Sequence, residues 1–283
     1  MFALSCSGCR ARVFAIALPV GVLLCGAVPG YAAFEHLSCG AEPAGMAGAY
    51  VGYARGPEAI LINPAGVAAA VRPAGLVSYS RPFGLKELDA SGISAHLPLR
   101  VGGVAVAARL FGRAPYQEQA FSAGAGFIVT PRLYVGAAAH LFHLRIASYG
   151  AASALGIDLG LLTAVSPTIH WGVSVRNLNR PRIGECREPL PQVLATGVCI
   201  TPVMPLAVTF DVEKDVRYPA ELRLGTAYRP LPPLVVRCGL QSNPGRFAAG
   251  FGLWVGLVRI DYAASYHYDL GITHSMSLRI GME

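Results

Sequence analysis

The most regular feature of the chain is an alternation of apolar and polar residues with a period of two. Between Thr168 and Leu178, Ile169, Trp171, Val173 and Val175 alternate with Thr168, His170, Gly172, Ser174 and Arg176. Leu222, Leu224 and Tyr228 are set against Glu221, Arg223, Gly225 and Arg229, and Met276, Leu278, Ile280 and Met282 against Ser275, Ser277, Arg279 and Gly281. This is the pattern of strands with one apolar face. From about residue 76 onward, segments of about ten residues are separated by Gly, Pro, Asn or charged turn residues, and no segment has the period of an amphipathic helix. Strands are predicted to begin near residues 76, 88, 101, 116, 132, 151, 168, 191, 204, 219, 233, 247, 256 and 272. The longest interruption, Asn179 to Pro191, is charged and proline-rich.

Composition decides what faces the apolar side. The 283 residues are 53% hydrophobic and only 14% charged, about half the charge usual for a soluble domain. Beyond the N-terminus, no apolar run reaches the roughly 18 to 25 residues of a membrane-spanning helix. Apolarity spread thinly over alternating segments fits strands that meet lipid on one face, whereas a soluble all-β protein is the competing reading. The predicted fold is all-β, an antiparallel transmembrane β-barrel. Fourteen strands satisfy the even count and edge-free closure that hydrocarbon demands, and twelve is the alternative division.

The net charge of +7 comes from scattered, mostly Arg residues, without a basic run interleaved with aromatics, so a nucleic-acid partner is not expected. Single arginines suit lumen-facing positions and contacts to the headgroups of membrane lipids. At the N-terminus, Arg10 and Arg12 precede an apolar stretch from Val13 to Val28 and the small residues Gly30, Ala32 and Ala33. That is the layout of an export leader, cleaved after Ala32 or Ala33; residues 1–33 are assigned to it. The Cys6–Cys9 pair falls within the leader, and Leu24 before Cys25 disfavours a lipid anchor. Cys39, Cys186, Cys199 and Cys238 remain in a compartment that permits disulfides, without metal-ligand spacing to any His.

Residues 41–70, AEPAGMAGAYVGYARGPEAILINPAGVAAA, break the strand pattern. Gly45 and Gly48 flank Met46, the Gly56-Pro57 turn divides two apolar runs, and Asn63-Pro64-Ala65-Gly66 favours a turn or extended geometry. This stretch resembles the N-terminal signature of FadL-type outer-membrane transporters and the PorV/PorQ family, through Gly45-Met46-Ala47-Gly48-Ala49-Tyr50 and Asn63-Pro64-Ala65-Gly66. The resemblance implies a fourteen-stranded barrel, residues 76–283, whose lumen holds a small N-terminal plug, residues 34–75. It also implies location in the cell outer membrane, assembly by the outer-membrane insertion machinery, and passive transport of a hydrophobic ligand such as a long-chain fatty acid, gated by the plug. An adaptor for secretion or surface attachment of an exported protein is the second function within this resemblance.

No catalytic constellation is expected. There is no Gly-x-Ser-x-Gly elbow, His140 and His143 fall on opposite faces of a strand, and Asp261, Tyr262, His267, Tyr268 and Asp269 read as girdle and turn residues. No cofactor or metal is expected either. Passive transport needs a path with favourable yet escapable binding. For an amphipathic acid, Met46, Tyr50, Val51, Tyr53, Ile60 and Ile62 are candidate apolar lining, and Arg55 and Arg72 candidate partners for a carboxylate. Packing of the same apolar residues between plug and wall is the structural alternative.

Overall fold

The computed structural model describes residues 33–34 and 40–281. The leader up to residue 32, its cysteines, and Cys39 lie outside the described residues. Two short helices, α1 (Ala41–Gly45) and α2 (Gly66–Ala69), precede the strands. In chain order these are β1 (Ala74–Arg81), β2 (Ala90–Leu99), β3 (Gly102–Phe111), β4 (Tyr116–Thr130), β5 (Leu133–Ile146), β6 (Gly150–Ser166), β7 (Ile169–Arg176), β8 (Arg182–Ile183), β9 (Glu188–Pro189), β10 (Val193–Val203), β11 (Leu206–Asp215), β12 (Glu221–Leu231), β13 (Leu234–Gln241), β14 (Arg246–Val255), β15 (Val258–His267) and β16 (Gly271–Gly281).

Strands β8 and β9 form a separate ribbon; the other fourteen pair antiparallel with their neighbours and close into a barrel through β1 and β16. Each barrel strand starts within two residues of its predicted start. The ribbon occupies the predicted long interruption. One end of the barrel carries two-residue turns such as 100–101, 131–132 and 256–257, and the other carries the longer connections 82–89, 177–192 and 216–220.

The alternation in the sequence becomes a division between outside and inside. Ile93, Leu97, Val106, Phe121, Leu141, Leu155, Phe210, Leu224, Phe251 and Leu278 point out and are exposed, whereas Ser94, His96, Ser122, Asp158, Thr209, Asp211, Arg237 and Ser277 point in and are buried. A soluble protein does the reverse. Closing the sheet pairs every strand edge, which is the condition for backbone to sit in hydrocarbon, and the apolar exterior supplies the surface that lipid solvates. No described helix is long and apolar enough to cross a membrane, a statement that does not bear on strands.

The plug segment lies within this barrel. Met46, Tyr50, Ala54, Ala59, Ile60, Leu61 and Val67 form one buried cluster with the wall residues Ala105, Ala107, Ala138, Ala227 and Val235. Small side chains on the wall leave the lumen wide enough for a second layer of chain.

Candidate functional site: the plug and the cavity above it

The Asn-Pro-Ala-Gly element is where plug and wall meet most closely. Asn63 is fully buried. Its Nδ2 donates to Val51 O and to Leu161 O on β6, each at 3.1 Å, while Oδ1 accepts from Ala65 N at 3.2 Å. The side chain thus ties together two turns of the plug and the wall. Pro64 lies on Gly136 and Asn63 on Gly160, where any added Cβ would collide with them. Ala65 is buried, and Gly66 has no room for a side chain beside Ala54 O.

Gly136 and Gly160 belong to an arc of inward-facing glycines on adjacent strands. Gly126 pairs with Gly136, Gly136 with Gly160, Gly172 with Gly197, and Gly225 with Gly239. A Cβ at Gly172 would stand 2.5 Å from Val51 O, and one at Gly126 would stand 2.6 Å from Ala68 N. Gly225 and Gly239 face Met46 in the same way. Plug backbone at Gly126, Gly136, Gly172 and Gly239, and polar side chains at Gly160, Gly197 and Gly225, leave no room for a Cβ along this arc. Polar groups on β11 complete it, with Asp211 Oδ2 accepting from Val51 N at 2.7 Å and Thr209 Oγ1 donating to Ala49 O at 2.9 Å.

The opposite side of the plug meets charge. Glu42 of α1 contacts Arg237 at 3.2 Å and Arg279 at 3.4 Å, and also pairs with Arg259. Glu58 pairs with Arg279, while Asp261 holds Arg237 at 2.9 Å and Arg259 at 2.7 Å. Three guanidiniums therefore balance three carboxylates, as burial of ions requires. Burial alone raises Glu42, but Arg259, Arg237 and Arg279 overcome it and hold its carboxyl well below the usual range. Asp261 is thus not the turn acid expected from its neighbours. Its lumenal strand position carries it into a buried network whose partners come from residues 42, 58, 237, 259 and 279, too dispersed to be seen along the chain.

Above the plug, toward the long-loop end, is a cavity of about 710 Å³. Pro43, Ala47, Val51, Leu61 and Ile62 form part of its floor, and Phe83, Leu88, Phe111 and Val193 contribute apolar wall. One side is charged: Arg223 bridges Glu213 at 2.8 Å and Glu221 at 2.6 Å, Arg176 joins Glu213, and Arg246 also faces the space. At the short-turn end, Gly52, Tyr53, Arg55, Ala69, Tyr134, Leu162 and His170 line a cleft of only about 90 Å³.

The candidate ligand-path residues are therefore divided between these surroundings. Met46, Tyr50 and Ile60 are sealed between plug and wall, Val51 and Ile62 face the large cavity, and Tyr53 faces the small cleft. Gly45 packs on Ala263 and Arg237, and Gly48 turns beside Arg223 with a positive φ of 78°. Arg55 lies over the Tyr53 ring, 4.8 Å from its centre, at the small cleft; Arg72 is exposed beyond α2. Neither lines the large cavity.

One further feature was not expected. Ser122 Oγ lies 2.7 Å from His140 Nδ1, and His140 Nε2 lies 3.0 Å from Asp158 Oδ2. The three residues, on β4, β5 and β6, are buried and line neither of the two cavities described above. His143 points away from them and meets Ser153, as alternation requires. Cys186, Cys199 and Cys238 are free thiols.

No protein-family profile matches the chain, and no curated protein sequence does. Solved structures match its fold. The CymD monoaromatic hydrocarbon channel superposes with a TM-score of 0.62 at 14% identity, covering 88% of this chain and 98% of that one. The toluene transporter TbuX of Ralstonia pickettii gives 0.60 at 14% identity, with the same coverage. A FadL homologue of Pseudomonas aeruginosa gives 0.59 at 11% identity, covering 86% of this chain and 97% of its own. The chain has the fourteen-stranded fold of FadL-type transporters.

Proposed function

We propose that the protein is a passive outer-membrane transporter of hydrophobic small molecules in which the plug is the gate. The observation that carries this reading is the cavity of about 710 Å³ between the plug and the long-loop end, part apolar and part charged. Its size and mixed lining suit a small, largely apolar ligand. The names of the structural neighbours, a monoaromatic hydrocarbon channel and a toluene transporter, support the same class of cargo.

In this reading the leader directs export, the short-turn end faces the periplasm and the long loops face the exterior, as in other outer-membrane barrels. The insertion machinery assembles the barrel, and membrane lipids surround its apolar belt. Cargo entering from outside rests on Val51, Leu61 and Ile62 and passes when the plug shifts toward the small cleft. A concentration gradient supplies the drive. Long-chain fatty acids are the finer proposal for the cargo: the tail occupies the apolar wall, the carboxylate meets Arg246 on the charged side of the cavity, and Arg55 meets it again on exit.

Binding and uptake of a fatty acid and of toluene, measured side by side with the purified barrel and with proteoliposomes, test this reading. Transport of either, altered by replacing Asn63 and Pro64 while the barrel stays folded, supports the gated transporter, and preference between the two identifies the cargo. Absence of binding and uptake for both, with an exported protein co-purifying, would replace the transporter by the adaptor.

A further inference from the structure

The chain's first described residues, Ala33 and Phe34, are buried, 7% and 3% exposed. Phe34 N donates to Glu118 Oε1 on β4 at 3.1 Å, across 84 residues of sequence. The Tyr116 hydroxyl donates to the same oxygen at 2.7 Å. The Phe34 ring lies 4.8 Å from that of Phe142, tilted by 52°. Ala33, Ala120 and two residues of the long connection, Ile183 and Leu190, also belong to this buried apolar cluster. A backbone nitrogen, a buried carboxylate and an aromatic seat thus meet at the point where the export leader is expected to end.

We propose that the barrel wall contains a pocket for the chain's own processed N-terminus: removal of the leader after Ala33 turns the Phe34 nitrogen into an α-ammonium that pairs with Glu118 while its ring seats on Phe142. Cleavage is a hydrolysis in which water adds across the Ala33–Phe34 peptide bond; Ala33 leaves with the carboxylate and Phe34 keeps the amine, which takes up a proton. The same nitrogen then donates with a full positive charge, and a charge-assisted hydrogen bond is roughly twice as strong as a neutral one. The ring supplies position, its centroid 4.8 Å from that of Phe142, within the range at which aromatic pairs attract. Processing and seating are coupled in this arrangement: the first anchor of the plug reaches full strength only once the leader has gone. The inference depends on export through a cleaved leader and is independent of what the barrel transports.

The test uses the full chain, exported by a bacterial host and purified from outer membrane in detergent. Intact mass should place the first residue at Phe34. Reductive dimethylation should label the α-amine of the folded barrel at least about tenfold more slowly than that of the denaturant-unfolded chain, because a buried paired group reacts only through local opening. Exposed Lys86 should react alike in both and serves as the internal standard. Glu118→Gln should remove most of the protection while the barrel keeps its β-sheet circular dichroism. If that variant does not fold, Phe34→Ala, which loses the aromatic seat and keeps the carboxylate, should also raise labelling. A mature chain that begins anywhere else, an amine labelled equally fast folded and unfolded, or protection unchanged in the folded variant would overturn the proposal.

Discussion

The plug is held in two physically different ways on its two sides. Along the arc from Gly126 to Gly239, glycines let the plug and neighbouring polar side chains come too close for any Cβ, and the contacts are short-ranged and intolerant of volume. Across the face formed by Arg237, Arg259 and Arg279, long side chains span a wider gap to Glu42 and Glu58. Attraction between opposite charges falls off only slowly with distance, whereas dispersion contacts are lost within an ångström. One plug is thus seated rigidly on one side and more tolerantly on the other.

The largest expected effect comes from the charged side. Arg259→Leu leaves Glu42 and Asp261 short of one partner, and breaking a buried ion network in this way costs about 3–5 kcal/mol. Hydrogen exchange over residues 41–66 should accelerate far more than exchange in the strands. Adding Asp261→Asn restores the balance of charge and should recover part of the loss, the coupling expected of neighbours in one network. An additive pair would mean that the charges act separately.

On the glycine side, Gly136→Leu drives a side chain into Pro64. Overpacking of this kind costs about 1–3 kcal/mol, and here it should displace the plug while the barrel still forms. Heat-dependent electrophoretic mobility checks the barrel, and protease access to residues 41–66 checks the plug. Equal tolerance of Leu at Gly136 and at outward-facing Gly75, where a Cβ would meet nothing nearer than Ser94 O at 4.0 Å, would dissolve the contrast between the two sides.

Asn63→Ala should have a somewhat smaller effect. It removes the donations to Val51 and Leu161 and leaves those carbonyls buried without that donor, about 1–3 kcal/mol. Faster exchange should centre on residues 49–66 and leave α1, held by the arginines, nearly unchanged. Uniform acceleration through α1 would show that the two sides release together.

The pH effects are the smallest near neutrality. A carboxylate held low in the folded state contributes stability that is present above its unfolded value and lost as pH falls through its folded value. For Glu42 the usual value is 4.5 and the folded one lies well below it. Exchange over α1 should therefore be flat from pH 7 to pH 5 and rise only in strong acid, below about pH 4. Asp89 sets a matching control outside the barrel interior: the hydrogen bond from Arg81, aided by Arg113, holds its carboxyl down to about 2. The 82–89 connection should thus keep its ion pairs until pH approaches that value. Loss of plug protection between pH 7 and pH 5 would remove Glu42 from the account.

What the sequence determined by itself is the wall. Alternation at Ile169, Trp171 and Val173, or at Met276 and Leu278, is a local property, because lipid on one side and lumen on the other act on each strand independently. Strand starts and the fourteen-strand closure followed from that. The Asn63-Pro64-Ala65-Gly66 element was also legible, since it is contiguous and breaks the strand pattern. Tertiary structure alone decided what the wall does to the plug. Gly136, Gly160 and Gly172 are separated by many residues and read as weak strand positions until the barrel curves them round one segment. Asp261 reads as a turn acid until β15 carries it opposite Arg237. Met46 and Tyr50 are as apolar as Val51 and Ile62, and only packing seals the first two while leaving the others beneath a cavity. The physical reason is the same in each case: alternation encodes which side of a strand faces inward, whereas the partner met there depends on contacts 24 to 221 residues away, which no local pattern records.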